Sequence, residues 1–409
     1  PTTSEAIPAF ARQTGAACLS CHFQSFPTLS AFGRAFKMGA LTDVGEQALV
    51  EDEALSIPAV LNATIVFRPQ VNNTKVATTG LPSVTSKEIS YGDQVVLIGG
   101  RIGPNAGAFV ELGGGAFGNH QLFTSFDFGG FKGGINYQSS GFGSDAALQL
   151  GNTWGQHGGM MNMRVTSANQ YIEGRGRATG GLFGAGQYAS LAAWAGNDMG
   201  AIQLGLVAPS DGTAFGVAGN GTFKAATIVR ANGFFDVGGM TAGVGGIFIT
   251  GNVGSNGQYN VPASFALDPA TGLVVPVPGL AVGQLEMKRW GLEASLEGEM
   301  GDSQFGLYAD YASAKASSAT KTNVFNPSLD KLSGWGLRGT VKPLHNLVFG
   351  LGYNSMKAGV VKDKTFHIGA EYEFYQNFVI ALTYTNNKVS TPVSTTKTTT
   401  TLLDVEALL

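Results

Sequence analysis

The sequence predicts an all-β membrane protein, a transmembrane antiparallel β-barrel of about sixteen strands, with about eighteen as the upper count. Three observations carry that prediction. Charged residues are only 13% of the chain while apolar residues reach 44% and glycine 60 of 409, a balance foreign to an ordinary soluble enzyme. From residue 59 onward the chain runs in period-two segments bounded by Gly, Asn, Asp or Pro, as strands require. The connections between those segments alternate between long and short, the habit of outer-membrane barrels.

The alternation is sharpest in the last third. In RWGLEASLEGEM, Trp290, Leu292, Ala294 and Leu296 share one face, and Glu293, Ser295, Glu297 and Glu299 the other. FGLYADYASA sets Phe305, Leu307, Ala309 and Tyr311 against Tyr308 and Asp310, and TFHIGAEYEF sets Phe366, Ile368, Ala370, Tyr372 and Phe374 against His367, Glu371 and Glu373. Such a pattern suits a soluble sheet with one wet face, or a barrel with an apolar outside and a polar lumen. Loop lengths choose the barrel. Read back from the C-terminus, the connections are long at KVSTPVSTTKT, short at YQN, long at MKAGVVKDK, short at PLHN, long at KTNVFNPSLDK and short at GDS. The segment from Gly251 to Gln284 joins the long series, and an even strand number places both termini on the short-turn, periplasmic rim. No run of about 18 uncharged apolar residues offers a membrane helix.

Strand boundaries blur between residues 117 and 226, where the text is rich in glycine. Trp290, Trp335, Tyr353, Tyr375 and Tyr384 stand near segment ends, where they suit interfacial girdles or are ordinary strand aromatics. The last strand, TLLDVEALL, alternates well but ends in Leu rather than an aromatic.

The front of the chain is different in kind. CLSCH, residues 18 to 22, is the attachment signature of a c-type haem. Cys18 and Cys21 are the only cysteines, so no disulfide is implied; their thiols would form thioether links and His22 would bind iron on the proximal side. Such attachment occurs outside the cytoplasm. No charged or apolar leader precedes Pro1, which suits a mature chain whose signal peptide has been removed. The formal charge of −3 carries no signal for nucleic acid.

Residues 1–44 form a monohaem c-type cytochrome segment too short to bury a core of its own, and the haem would serve as that core. Phe10, Phe23, Phe26, Leu29, Phe32 and Phe36 are candidates to pack on it, and Arg12, Arg34 and Lys37 to pair with its propionates. Residues 45–58, with EQALVEDEALSIP, read as a short acidic helix or linker, and residues 59–409 as the barrel. For the sixth iron ligand Met38 is the first candidate, since Met/His ligation raises a haem potential; simple packing is its competing reading. His120, His157, His345 and His367 are rivals, His367 projecting to the lumen and His345 lying in an exposed turn. The glycine cluster GRGRATGG lacks the strand–loop–helix setting of a phosphate loop, and no Cys/His set or GxSxG suggests zinc or a hydrolase.

FARQTGAACLSCH (Phe10 to His22) and PTLSAFGRAFK (Pro27 to Lys37) resemble the fused monohaem cytochrome–porins of iron-oxidising bacteria, which are outer-membrane iron oxidases. The resemblance rests on this short stretch; the barrel portion matches only in length and pattern. It implies one covalent haem c, carried into the lumen as a plug by the N-terminal segment. Extracellular Fe2+ would donate one electron and a soluble periplasmic cytochrome would accept it, with the barrel seated in outer-membrane lipid. Glu293, Glu297, Glu299 and Asp310 would attract Fe2+ as a ring of acidic side chains does, or simply line a solvated wall. Two other functions stay open: a haem conduit with a different extracellular donor or acceptor, and a diffusion porin with a haem-bearing plug.

Overall fold

The computed structural model describes residues 8–25, 28–52, 55–113, 116–140, 148–151, 163–182, 187–210, 224–253, 259–260, 264–267, 274–277, 281–282, 284–375 and 377–409. Sixteen antiparallel strands close into one barrel. They are β1 (Ala63–Thr78), β2 (Val84–Gly103), β3 (Ala106–Gly113), β4 (Ala116–Thr124), β5 (Lys132–Ser140), β6 (Gln187–Asn197), β7 (Gly200–Ser210) and β8 (Ala226–Val237). The second half is β9 (Met240–Val253), β10 (Gln284–Met300), β11 (Ser303–Ala314), β12 (Leu332–Leu344), β13 (Leu347–Ala358), β14 (Val361–Tyr375), β15 (Phe378–Ser390) and β16 (Thr395–Leu408). A short extension of β4 at Phe126–Asp127 and an inserted strand at Lys321–Asn323 complete the wall.

The faces are inside out relative to a soluble protein. Leu292, Leu307, Leu337, Leu351 and Leu382 are each more than half exposed on the outside, whereas Tyr308, Asp310, His367, Glu371 and Glu373 are buried in the lumen. An apolar exterior around a polar interior suits lipid outside, and closure leaves no strand edge unpaired in it. The outer aromatics sit in pairs, Trp290 on Tyr311 at 5.2 Å and Trp335 on Tyr353 at 5.6 Å between ring centroids. No helix among the described residues is long and apolar enough to cross a membrane.

Both chain ends meet on one rim, where Ile65 and Leu409 exchange backbone hydrogen bonds. At that rim short turns join β2 to β3, β4 to β5, β6 to β7, β8 to β9, β10 to β11, β12 to β13 and β14 to β15. The opposite rim carries the long connections after β5, β7, β9 and β11; most of the segment from Gly251 to Gln284 lies outside the described residues. Two connections expected to be long are tight instead. β13 turns into β14 at residues 359–360 and β15 into β16 at residues 391–394. Their Thr- and Lys-rich letters keep pairing: Ser390 lies opposite Thr395, and the Thr78 and Thr396 hydroxyls stand 3.0 Å apart. These strands therefore extend beyond the apolar belt.

Residues 45–58 also differ from expectation, forming a hairpin of Leu49–Glu51 and Ser56–Pro58 rather than a helix. The tertiary anchor explains it. The Ser56 hydroxyl donates to Glu51 at 2.9 Å and accepts from the Arg101 guanidinium at 2.7 Å, which holds this stretch extended against β2.

Two inserts occupy the lumen. The first is the N-terminal segment, with helices α1 (Pro8–Thr14), α2 (Cys18–Cys21) and α3 (Ala31–Met38). The second, inside the β5–β6 connection, holds a 3-10 turn at Met163–Thr166 and helix α4 (Ala168–Leu182).

The barrel seam is locked by charge. Arg68 on β1 grips Asp404 on β16 through Nη2 at 2.6 Å and Nε at 3.0 Å, and Gln70 adds a third donor at 3.0 Å. Asp404 is fully enclosed, so removing it takes the bidentate partner from a buried guanidinium and leaves it the longer contact to Glu406 at 3.5 Å. Asp404→Ala is expected to destabilise the folded barrel by about 3–5 kcal/mol, read as a lower temperature of heat-induced loss of the compact electrophoretic form.

Candidate functional site

The N-terminal segment is tied to the wall around its circumference, near the short-turn rim. The Ala9 amide donates to Thr64 on β1 at 2.9 Å, the Ser125 hydroxyl beyond β4 to the Met38 carbonyl at 2.7 Å, and Lys342 on β12 to the Gln24 carbonyl at 2.7 Å. Gln13 is the central fastener. Its side-chain amide donates to the Leu41 and Asp43 carbonyls at 2.7 Å, and its oxygen accepts from Asn62 and the Arg101 amide at 3.1 Å.

Within the segment, α2 and α3 pack at Gly33. A Cβ there would lie 2.0 Å from the Cys21 carbonyl oxygen, so only glycine permits the contact. Ser30 caps α3 by accepting from the Gly33 amide at 3.1 Å, satisfying one of the open donors at the helix start. These contacts hold Cys21 and His22 against the beginning of α3.

His22 is buried, and its Nδ1 faces the Thr28 carbonyl at 3.2 Å. A carbonyl only accepts, so Nδ1 carries the proton and Nε2 keeps the lone pair, the tautomer of a metal-binding imidazole. Burial pushes its pKa down to about 4, which keeps the ring neutral at pH 7. The donor chemistry of Cys21 and His22 thus fits the proximal half of a c-type haem site.

The other predicted haem contacts are dispersed. Met38 ends α3 with its side chain enclosed by Leu148, Leu150, Trp194 and Ala201, so it packs the first insert against the second; ligation would require its sulfur to leave that cluster. Phe36 packs with Phe10, Phe109 and Phe123 on the barrel wall. Phe32 is 42% exposed, and Phe23 is half-buried. Arg12 is exposed and donates to the Ala63 carbonyl. Arg34 is buried, stacked 4.0 Å from the Phe234 ring centroid and donating to the Leu29 carbonyl at 2.7 Å. Burial lowers its pKa while Glu297 opposes that shift. Lys37 reaches Gln149 at 3.5 Å. Phe26 and His157 lie outside the described residues, as does the side chain of Cys18.

Among the rival histidines, His120 stacks near Tyr137 at 5.8 Å on the β4–β5 wall, His345 is exposed in its two-residue turn, and His367 is buried with Nδ1 2.8 Å from the Thr385 hydroxyl.

The predicted acidic residues have the following partners. Glu293 is held by Arg230 at 2.5 Å and Asn232 at 2.9 Å. Asp310 accepts from the Ser167 hydroxyl at 2.5 Å and from the Ala168 and Asn169 amides at 3.1 and 2.9 Å, so its charge serves the N-terminus of α4. Glu297 is buried beside Tyr308 at 3.1 Å, and Glu299 is exposed near the short-turn rim, bonded to Gln304 at 2.9 Å. Glu293, Glu297 and Asp310 are thus each hydrogen-bonded within the lumen, and Glu293 and Glu297 line one small cavity beside Arg34.

Arginines are the lumenal residues that sequence reasoning missed. Arg289 binds Glu173 and Asn169 of the second insert, and Arg338 stands 3.5 Å from Asp310. Their signal was legible, since both occupy polar slots of alternating strands. Gly336 also serves the insert: a Cβ there would lie 2.2 Å from the Thr166 carbonyl.

No protein-family model matches the chain, and no curated protein matches it. Among solved structures it is similar to the outer-membrane expressed OmpT of Vibrio cholerae, at 10% identity over 88% of this chain and 100% of that one, with a TM-score of 0.47. It is also similar to an anion-selective porin from Comamonas acidovorans, at 10% identity over 86% and 99% with a TM-score of 0.47. A third is the outer-membrane channel DcaP of Acinetobacter baumannii, at 12% identity over 85% and 97% with a TM-score of 0.47.

Two outcomes follow from the plug geometry. Gly33→Ala is expected to push α2 off α3, raising protease cleavage of the N-terminal segment while the barrel itself stays folded; unchanged protection would contradict the contact. In the haem-free chain, the unfolded His22 ring takes a proton below about 6.5, whereas the folded ring resists until about 4. The His22 contribution to packing of the segment therefore weakens as pH falls through that window and is constant above it. Protease protection followed against pH measures this, and His22→Gln should remove that contribution to the slope.

Proposed function

We propose that this chain is an outer-membrane electron-transfer barrel that carries one c-type haem and moves electrons between the outside and the periplasm. The single supporting observation is that the segment bearing Cys18, Cys21 and His22 is packed inside the lumen and bonded to β1, β2, β12 and Ser125 just beyond β4. A haem bound there supplies a one-electron redox centre. The chain's own residues hold it: two cysteines for covalent attachment, His22 in the ligating tautomer, and a barrel that keeps lipid away. No nucleophile or general base is required, because no bond of the substrate is broken.

Ferrous iron as donor and a soluble periplasmic cytochrome as acceptor rest on the resemblance of residues 10–37 and make the protein an iron oxidase in this reading. The termini then lie in the periplasm. The engaged carboxylates of the lumen argue for an electron route rather than an iron route through the wall.

A diffusion channel is the second reading, favoured by the closed sixteen-strand barrel itself; the gap between plug and wall at Arg34, Asn232, Glu293 and Glu297 is small, about 20 Å³. Two measurements separate the readings. Ferrous iron added to the purified, oxidised holoprotein at acidic and neutral pH is expected to reduce the c-type spectrum; no reduction at either pH rejects iron oxidation. The intact protein in planar bilayers is expected to pass little current, and porin-like steady conductance would favour the channel. Replacing both Cys18 and Cys21 by Ser should abolish covalent haem, scored by haem staining of the denatured chain.

A further inference from the structure

Above the apolar belt, on the rim away from the termini, lysines gather on the outer face of consecutive strands. Lys364 on β14 lies directly opposite Lys388 on β15, which lies directly opposite Lys397 on β16. Lys357 on β13 is paired with Lys362 on β14. Beyond the seam, Lys75 on β1 pairs with Thr399 and Lys87 on β2 with Asn73, which continues the same row. Like charges directly opposite on one face of a sheet repel and destabilise it, so three adjacent strands in register make a site that calls for an anion.

The row continues straight from the hydrophobic surface. Residues two apart share a face, so Lys364 stands above Phe366 and Ile368, and Lys388 above Tyr384 and Leu382, all exposed on the barrel exterior. From Phe366 to Lys364 is one step of about 7 Å along the strand. The acidic neighbour Asp363 points the other way, accepting from Tyr171 at 2.7 Å and Asn387 at 2.6 Å. Among the described residues no carboxylate occupies an outward-facing position of β13 to β16 above the belt; at this rim Asp330 is set against Gly359 in the β13–β14 turn. A free anion has no use for the adjoining apolar wall; an amphiphile has.

We propose that the lysine row of β13 to β16, β1 and β2 binds the phosphate groups of the phosphorylated glycolipid of the outer leaflet, with its acyl chains lying on the aromatic and aliphatic belt below. The inference rests on the membrane orientation adopted above and is independent of haem, so a missing haem spectrum would overturn the electron-transfer reading and leave this one standing.

The test uses the full-length barrel purified in phosphate-free detergent, titrated with bisphosphorylated lipid A, with its dephosphorylated form and with inorganic phosphate, and read by native mass spectrometry. Retention of the bisphosphorylated lipid alone is expected. The combined substitution K364Q/K388Q/K397Q should weaken it roughly tenfold or more while leaving thermal stability in lipid-free detergent equal or higher, since it relieves repulsion. Equal retention of the dephosphorylated lipid, capture of inorganic phosphate in its place, or wild-type affinity in the triple variant would overturn the proposal. If the variant does not fold, the comparison of the two lipids on the wild-type barrel decides. Orientation is checked separately by P392C in the β15–β16 turn: a membrane-impermeant maleimide should label it in intact cells, and labelling only after permeabilisation would reject the lipid assignment.

Discussion

A sheet in lipid has no water to satisfy its edges, and the structure depends on the closure this forces. Strand β16 returns to β1, the two termini meet at one rim, and the Arg68–Asp404 pair clamps the seam from the lumenal side. Closure inverts the usual logic of a core. Leu292, Leu307, Trp335 and their like face outward, and the interior is filled by polar side chains, by chain brought in from elsewhere and by the apolar wall residues that pack on it, such as Phe123 and Trp194.

Here the filling comes from both. The N-terminal segment enters from the rim of the termini and is fastened through Gln13, Gln24 and Met38. The second insert is fastened through Arg289, Asp310, Asn354 and Asp363. They meet where Met38 packs on Leu148 and Leu150. Some buried charges are matched across an insert–wall contact, as Arg289 is with Glu173, and others from strand to strand, as Arg230 is with Glu293, so part of the polar lettering of the strands serves to hold the inserts.

This arrangement also explains the fate of the lumenal carboxylates. Truncating Glu293, Glu173 or Asp310 would remove an acidic partner of Arg230, Arg289 or Arg338 in an enclosed space, a costly state. Positive charge on the outside is organised differently. There the lysines of β13 to β16 are aligned like with like on the exposed face.

The sequence by itself determined the barrel, the inward and outward faces of its strands and the shared rim of the termini, because period two is a local property, and its CLSCH motif carries the haem proposal. It did not reveal that Asp310 caps α4, that Met38 joins two inserts, that residues 49–58 form a hairpin, or that the Lys- and Thr-rich stretches near residues 360 and 390 are extended strands. Each of these was decided by partners far away in the chain: Ser167 and Asn169 for Asp310, Leu148 and Leu150 for Met38, Arg101 for the hairpin, and neighbouring strands for the tall β13–β16 wall. Alternation says which way a side chain points, but the charge it meets there depends on which strand and which insert closure brings opposite to it.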